Sequence, residues 1–320
     1  ILNQNEKLIM TISKEDINSL KNLSGKKFMI TGGNGMLGNA FLNQLSKNVE
    51  NAVIYCFDKS QLEVSNPESF NKYLHLNPDF IIHCAGLVNA DACENNIEEG
   101  KINIVEGTRN VMNFAKKNNS KIFYPQSFLI YNDTGGTINE ETKPSPLSIY
   151  GNLKLEAENI ILNSSLKTLS VHMGGFFGGL EKDNNFVGKI ISHISHLIKN
   201  GENSMEIGDR IWQPTDTNDL AYNSLILLAN DKTGKFCMSS HGSCSFFELT
   251  KKILENLGIS KKFNIYKISA NILAKREIAV RPLSVIMKND RLIKENLDRQ
   301  RKWEISLQEY LSNPYFKNLF

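Results

Sequence analysis

The sequence predicts an α/β fold: a doubly wound parallel sheet with a smaller, interleaved C-terminal domain. Three observations predict it. Between residues 27 and 172, short continuous apolar runs alternate with helical stretches, the pattern of parallel strands buried on both faces. A glycine-rich turn, Thr31–Gly38 (TGGNGMLG), joins the first apolar run to the first helical stretch. Beyond residue 172 the rhythm loosens. The 320 residues are 41% hydrophobic and 22% charged, which supports a sizeable core and excludes wholesale disorder.

The elements follow in order. Residues 1–24 are polar and weakly patterned, and are expected to form an N-terminal extension. Lys27–Thr31 is a strand, and Met36–Leu45 has helical spacing. Ala52–Phe57 is a second strand. Pro67–Leu76 reads as a helix with Pro at its start. Asp79–Cys84 is a third strand, Ile97–Lys117 a long amphipathic helix, and Lys121–Pro125 a fourth strand. Ile149–Leu162 is helical and Thr168–His172 is a fifth strand. After these come a helix over Phe186–Lys199, another over Asp219–Ala229, a strand at Lys235–Met238 and a helix over Phe246–Leu257. The expected organisation is an extension (1–24), a dinucleotide-binding domain (25–172) and a mainly substrate-binding domain (173–320). Residues 213–240 return to the first domain.

Net charge is +3, with Lys and Arg dispersed, so neither nucleic acid nor a membrane surface is an expected partner. No apolar run approaches the ~20 residues of a membrane span. The start lacks a basic-then-apolar segment, and the expected location is the cytoplasm. The five cysteines are scattered, with no CxxC pair, and suit a reducing compartment. Cys56, Cys84 and Cys237 lie in apolar runs and read as buried thiols. His193 and His196 share a helix face but lack a third ligand, so no metal site is expected.

Four features carry chemistry. Gly32, Gly35 and Gly38 form G-x-x-G-x-x-G between a strand and a helix. That context suits a dinucleotide pyrophosphate, because backbone approaches closely and the helix start offers free N–H groups. The surrounding turn residues Asn34, Met36 and Leu37 are assigned to the same cofactor. Asp58 ends the second strand 20 residues after Gly38, placed to accept from a ribose 2′-OH and to repel a 2′-phosphate. This favours NAD(H) slightly over NADP(H), although the adjacent Lys59 offers a phosphate partner. Tyr150 and Lys154 stand at i and i+4 on one helix face. A nearby ammonium is expected to lower the phenol pKa, so that Tyr150 exchanges protons with a carbonyl or alcohol. Ser127 lies just beyond the fourth strand, at the edge where such sheets bind ligands, and its hydroxyl can polarise a substrate oxygen.

With these residues assembled, the chain resembles the extended short-chain dehydrogenase/reductases, a Rossmann-type family. Within them it is most similar to the dTDP-4-dehydrorhamnose reductase branch. The supporting segments run from Lys26 to Leu311. Leu62–Pro67 (LEVSNP) resembles the branch's L-D-x-x-D-P. His83–Glu94 (HCAGLVNADACE) is similar to its N-A-A-A-Y-T-x-V-D-x-A-E, which lines the cofactor and places Asp91 and Glu94. Asn184–Val187 matches N-F-V, Gln213–Thr215 with Asp219–Ala221 matches G-x-P-T…D-L-A, and Arg281-Pro282 matches the R-P stretch. Trp303 and Tyr310-Leu311 resemble the branch's ending.

The resemblance implies a Ser127–Tyr150–Lys154 triad, with Lys154 also holding the nicotinamide ribose. It adds Cys84, Ala85, Gly86 and Asn103 to the cofactor site. It places Asn185, Phe186, Arg210 and Arg281 beside Ser127 on the substrate side, the arginines as cations for a nucleotide-sugar diphosphate. It also implies a homodimer through a four-helix interface formed by the helices over 97–117 and 149–162.

Departures are specific. Ser127-Phe128-Leu129 stands where the branch has Thr-Asp-Tyr, His172 where it has Arg, and Trp212 where it has Gly. HMGGFFGG (His172–Gly179) replaces a bulkier stretch. The sugar pocket is therefore expected to differ. Phe128 and Leu129 exclude the Asp-Glu pair of the related 4,6-dehydratases, and Leu129 replaces the proton-shuttling Cys of the epimerase-reductases. The expected reaction is NAD(P)H-dependent reduction at C4 of a nucleotide-linked 4-keto sugar. The alternatives are an NAD-dependent 4-epimerase and a non-catalytic regulatory subunit of the same fold.

Overall fold

The computed structural model describes residues 12–133 and 136–320. Six strands form one parallel sheet: β1 (Lys27–Thr31), β2 (Val53–Phe57), β3 (Phe80–His83), β4 (Lys121–Ser127), β5 (Thr168–Met173) and β6 (Gly234–Met238). Their order is β6-β5-β4-β3-β1-β2. The chain steps from β1 out to β2, then crosses back to place β3 on the other side of β1. That reversal opens a crevice at the carboxyl ends of β1 and β3, where ligands bind in sheets of this kind.

Alternation along the strands builds a core on each face. Phe28 and Ile30 of β1 point one way, against α2 (Met36–Asn48). Met29 points the other way, with Ile81 and Ile122. The opposite face is covered by a long helical run. It passes from α3 (Ala90–Asn95) through α4 (Ile97–Lys101) to α5 (Gly107–Asn118), and α6 (Ile149–Leu162) packs beside it. The single helix expected over Ile97–Lys117 is interrupted: Ile102–Glu106 is a π-helical turn. Asn103 lies in it and donates its side-chain amide to the Glu99 carbonyl at 2.8 Å. Pro67–Leu76 is a 3₁₀ helix rather than an α-helix.

Of the extension expected over residues 1–24, the first eleven residues lie outside the described range, and the rest includes a helix. α1 (Lys14–Leu20), capped by Ser13, buries Leu20 against the core. It reaches that core through a helix near the other end of the sheet. There, α7 (Phe186–Lys199) is followed by α8 (Thr217–Ala229), in which every residue but Asn218 is buried. A helix buried all round needs a cover on each side. α2 and α1 supply it. Buried Asp16 of α1 accepts from Tyr222 Oη at 3.0 Å and from both Nε and Nη2 of Arg299.

The rest of the chain forms a second layer with its own core. α7, α9 (Phe246–Asn256) and a late helix at Trp303–Leu311 bury Ile191, Ile194, Leu249, Ile253 and Leu307 together. Phe186 stacks on Phe246 with centroids 3.9 Å apart, and Trp212 meets both edge-on. Two sequence departures prove to be one exchange. A Cβ on Gly175 would lie 1.7 Å from Trp212 Nε1, so the small residue makes room for the large one. Among the thiols expected to be buried, Cys237 is; Cys93 and Cys244, for which no burial was expected, are buried too. Cys56 and Cys84 are only partly covered. No helix among the described residues is long and apolar enough to cross a membrane.

Candidate active site

The glycine-rich turn sits at the crevice. Gly33 N–H donates to the Phe57 carbonyl at 2.8 Å, and Gly35 N–H to Gly32 at 3.0 Å. Gly32 has φ +71°, and a Cβ there would stand 2.7 Å from the backbone nitrogen of Ala85. The turn thus rests on the Cys84–Ala85 peptide beyond β3. Gly35 is the N-cap of α2 and supplies no side-chain cap, so the first-turn N–H groups of Met36, Leu37 and Gly38 face outward for an anion. These features fit a dinucleotide pyrophosphate.

Asp58 follows β2 and is partly exposed. Its carboxylate accepts from Asn34 Nδ2 at 2.9 Å and from Ser60 Oγ at 2.7 Å. The Ser60 hydrogen bond leads the causes that hold its pKa below the usual value. Lys59 turns away to Glu63, 3.3 Å distant.

Ser127 ends β4. Its N–H donates to its neighbour's side chain, Gln126 Oε1, at 2.8 Å, and its hydroxyl accepts from Leu129 N–H at 3.2 Å. Gln126 Nε2 donates to the Lys154 carbonyl at 3.0 Å, so one amide ties β4 to α6. Glu94 of α3 accepts from Ile149 N–H at 2.7 Å and fixes the start of α6, beside Tyr150. The two elements therefore bring Tyr150 close to Ser127, whose hydroxyl favours the ionised phenol against the burial that opposes it.

The expected lowering of the Tyr150 pKa by Lys154 is corrected. Burial pushes the phenol up to about 12, and the Ser127 hydroxyl offsets only part of that. Lys154 is spent elsewhere: Nζ donates to the Pro125 carbonyl at 2.8 Å and lies 3.9 Å from the centre of the Tyr124 ring. Burial drops its pKa to about 7, opposed by Glu158 and Cys84. At neutral pH Tyr150 is a proton donor, not a base.

Two buried histidines, absent from the expected site residues, lie beneath. His83 bridges Thr31 Oγ1 at 2.9 Å and Thr108 Oγ1 at 3.1 Å; burial holds it neutral, with its pKa near 3. His172, the residue standing in place of Arg, meets Glu158 Oε1 at 2.6 Å and Tyr131 Oη at 2.7 Å. Glu158 also accepts from Ser170 Oγ at 2.6 Å. The four-residue step from Lys154 to Glu158 is the sequence signal that could have pointed to this carboxylate, which the sequence reading missed.

The expected substrate-side residues fall into two groups. Arg210 makes a bidentate pair with Glu277 at 2.7 and 2.9 Å. Arg281 pairs with Asp91 at 3.0 Å and lies 3.8 Å from the same Glu277. The two guanidinium groups are thus joined through one carboxylate. Asn185 donates its side-chain amide to the Phe176 carbonyl, and Phe186 belongs to the aromatic stack. His193 and His196 are exposed on α7, the latter hydrogen-bonded to Asn200. No cluster of potential metal ligands occurs among the described residues.

The profile of the family described as RmlD substrate binding domain matches residues 26–315. The chain belongs to this family. It is similar to the spore coat polysaccharide biosynthesis protein SpsK of Bacillus subtilis, 23% identical over 287 residues, 89% of this chain and 96% of that one. The methionine adenosyltransferase 2 subunit beta of Bos taurus is 28% identical over 167 residues, about half of each chain. Among solved structures, the Bacillus anthracis dTDP-4-dehydrorhamnose reductase in complex with NADP superimposes with TM-score 0.81 at 25% identity. That match covers 90% of this chain and 99% of the other. This RmlD family member has the fold and the family that its motifs indicated.

Proposed function

We propose that the chain is an NAD(P)H-dependent oxidoreductase that reduces the C4 keto group of a nucleotide-linked 4-keto sugar, working in the cytoplasm. One observation carries the reading. The glycine turn rests on the Cys84–Ala85 peptide beyond β3, Ser127 ends β4, and Lys154 of α6 donates to the Pro125 carbonyl of β4 with Tyr150 one turn earlier, so cofactor turn and proton donor share one edge of the sheet. The reductase relative, a complex with NADP, supports it. So does the relative named for polysaccharide biosynthesis.

When bound, a reduced nicotinamide dinucleotide supplies the hydride. Ser127 donates a hydrogen bond to the ketone oxygen and polarises it. Tyr150, protonated at neutral pH, gives its proton to that oxygen as the carbon is reduced, and regains one from solvent. Lys154 holds the nicotinamide ribose hydroxyls. Gly32, Gly35 and the α2 start carry the pyrophosphate, and Asp58 favours NADH. Arg210 and Arg281 meet the diphosphate by exchanging Glu277 for it. A homodimer through α4–α6 belongs to the same reading; exposed Ile97 and Ile102 are apolar residues such a contact covers.

The test is turnover of NDP-4-keto-6-deoxy sugars with NADH and NADPH. Tyr150→Phe is expected to lower kcat by about 10²–10⁴ while leaving dinucleotide affinity near the wild-type value. Wild-type kcat in Tyr150→Phe overturns the mechanism. The half-chain similarity to a methionine adenosyltransferase subunit favours a second reading, a regulatory subunit. Dinucleotide binding without turnover of any keto sugar, together with co-purification of a larger enzyme, would select it.

A further inference from the structure

We infer that Glu158 is a positioning residue for Lys154: its buried carboxylate is the counter-charge that keeps the ammonium protonated and in place, and a neutral His172 holds that carboxylate. The inference rests on the proposed role of Lys154 at a dinucleotide ribose.

Tyr150, Lys154 and Glu158 follow at i, i+4 and i+8, one above another on the inner face of α6. Glu158 is 0% exposed. Its Oε1 takes the hydrogen bonds from Ser170 and His172, while its Oε2 is buried without a hydrogen-bond partner. One turn earlier, Lys154 has three protons to donate and gives one to Pro125. A carboxylate oxygen with spare capacity and an ammonium with spare protons therefore stand a helical turn apart in the interior. An isolated buried charge is far costlier than a pair.

One proton arrangement satisfies the rest of the network. Tyr131 Oη donates to His172 Nδ1, and His172 Nε2–H donates to Glu158. His172 is then neutral, and the negative charge of Glu158 is left for Lys154. The other titratable groups packed around this pair supply no rival charge. His83 on β3 is held neutral by burial. Cys84 beyond β3, Tyr124 on β4, Tyr131 beyond β4, Tyr150 on α6 and Cys237 on β6 are all pushed upward by burial and keep their protons. Burial opposes ionisation of Glu158, but the hydrogen bonds it accepts from His172 and Ser170 hold its carboxyl below the usual range, so it stays ionised across the pH range of the test.

The experiment measures the affinity of the full chain for NADH and NADPH by fluorescence from pH 5 to 9.5. Wild-type affinity is expected to weaken as pH rises through about 7, where Lys154 loses its proton. Glu158→Gln keeps the side-chain size and removes the charge. It should lower that midpoint by about one to three pH units, the range for loss of a close opposite charge. Glu158→Asp should restore most of the shift. A merely structural Glu158 would change the melting temperature and leave the midpoint in place; a folded Glu158→Gln with an unmoved midpoint overturns the inference. His172→Gln replaces one neutral donor with another and should leave the midpoint where it is. A rise in His172→Gln means that His172 is the cation paired with Glu158, which overturns the inference even if Glu158→Gln does not fold. A wild-type chain that binds neither dinucleotide refutes the proposed function instead, and the role of Glu158 falls with it.

Discussion

Gly38→Ala tests the cofactor turn, because two effects of known size oppose each other there. Gly38 is the third residue of α2. In an exposed helix the change would gain about 1 kcal/mol from helix propensity. Here the new Cβ would lie 2.4 Å from the Gly32 carbonyl oxygen and 3.0 Å from Gly33 Cα. Ordinary contact begins near 3.4 Å, so helix and turn must part by about 1 Å. The obstructing atoms are backbone, and Gly33 is tied to β2 through the Phe57 carbonyl. No rotamer relieves the clash. Overpacking of this kind costs about 1–3 kcal/mol. With the upper end offset by propensity, the expected net loss is about 2 kcal/mol. Dinucleotide affinity should fall at least tenfold as well, since the displaced atoms are those proposed to meet the pyrophosphate. Urea unfolding and dinucleotide titration on the same sample measure both. Asn43→Ala, exposed on the same helix, is the control and should be stabilising by roughly half a kcal/mol. Gly38→Ala with wild-type stability and wild-type affinity would refute the reasoning.

Three further predictions follow from other parts of the molecule. Asp58→Asn removes the charge proposed to disfavour a 2′-phosphate and should raise NADPH affinity severalfold relative to NADH; an unchanged ratio in paired titrations removes Asp58 from the discrimination. Asp16→Asn strips a buried ion pair from Arg299 and an acceptor from Tyr222, and should cost about 2–3 kcal/mol in urea unfolding. A loss below half a kcal/mol would show that α1 is dispensable to the fold. His83 is neutral in the folded chain, mainly through burial and secondarily through Lys154, with its pKa lowered from 6.5 to about 3. The unfolded chain binds the extra proton below 6.5, so stability is lost as pH falls from 6.5 toward 3. His83→Gln, which can bond both threonines without titrating, should flatten that part of the stability–pH curve; an identical curve excludes His83 as the cause.

Much of the architecture was legible in sequence. α6 and α7 begin and end where their periodicity places them, and the six strands appear as short apolar runs. The glycine turn, Ser127, Tyr150 and Lys154 were legible for a related reason. Each is a pattern within a few residues, set between elements whose order a parallel sheet constrains. The π turn at Ile102–Glu106 was not legible, because the residues there have ordinary helical spacing.

The amino-acid sequence alone determined the strand–turn–helix rhythm, the glycine-rich turn between the first strand and helix, and the helix face bearing Tyr150 and Lys154. Only the tertiary structure decided what those groups are worth chemically. It turned the expected acidic phenol of Tyr150 into a buried proton donor, because burial outweighs an ammonium that is engaged by Pro125 and Tyr124. It paired Arg210 and Arg281 through Glu277, set Trp212 against Gly175, and joined Asp16 to Arg299 across 283 residues. Secondary structure follows from neighbours along the chain. Charge state, pairing and packing depend on which distant groups share a desolvated space, and only folding brings those groups together.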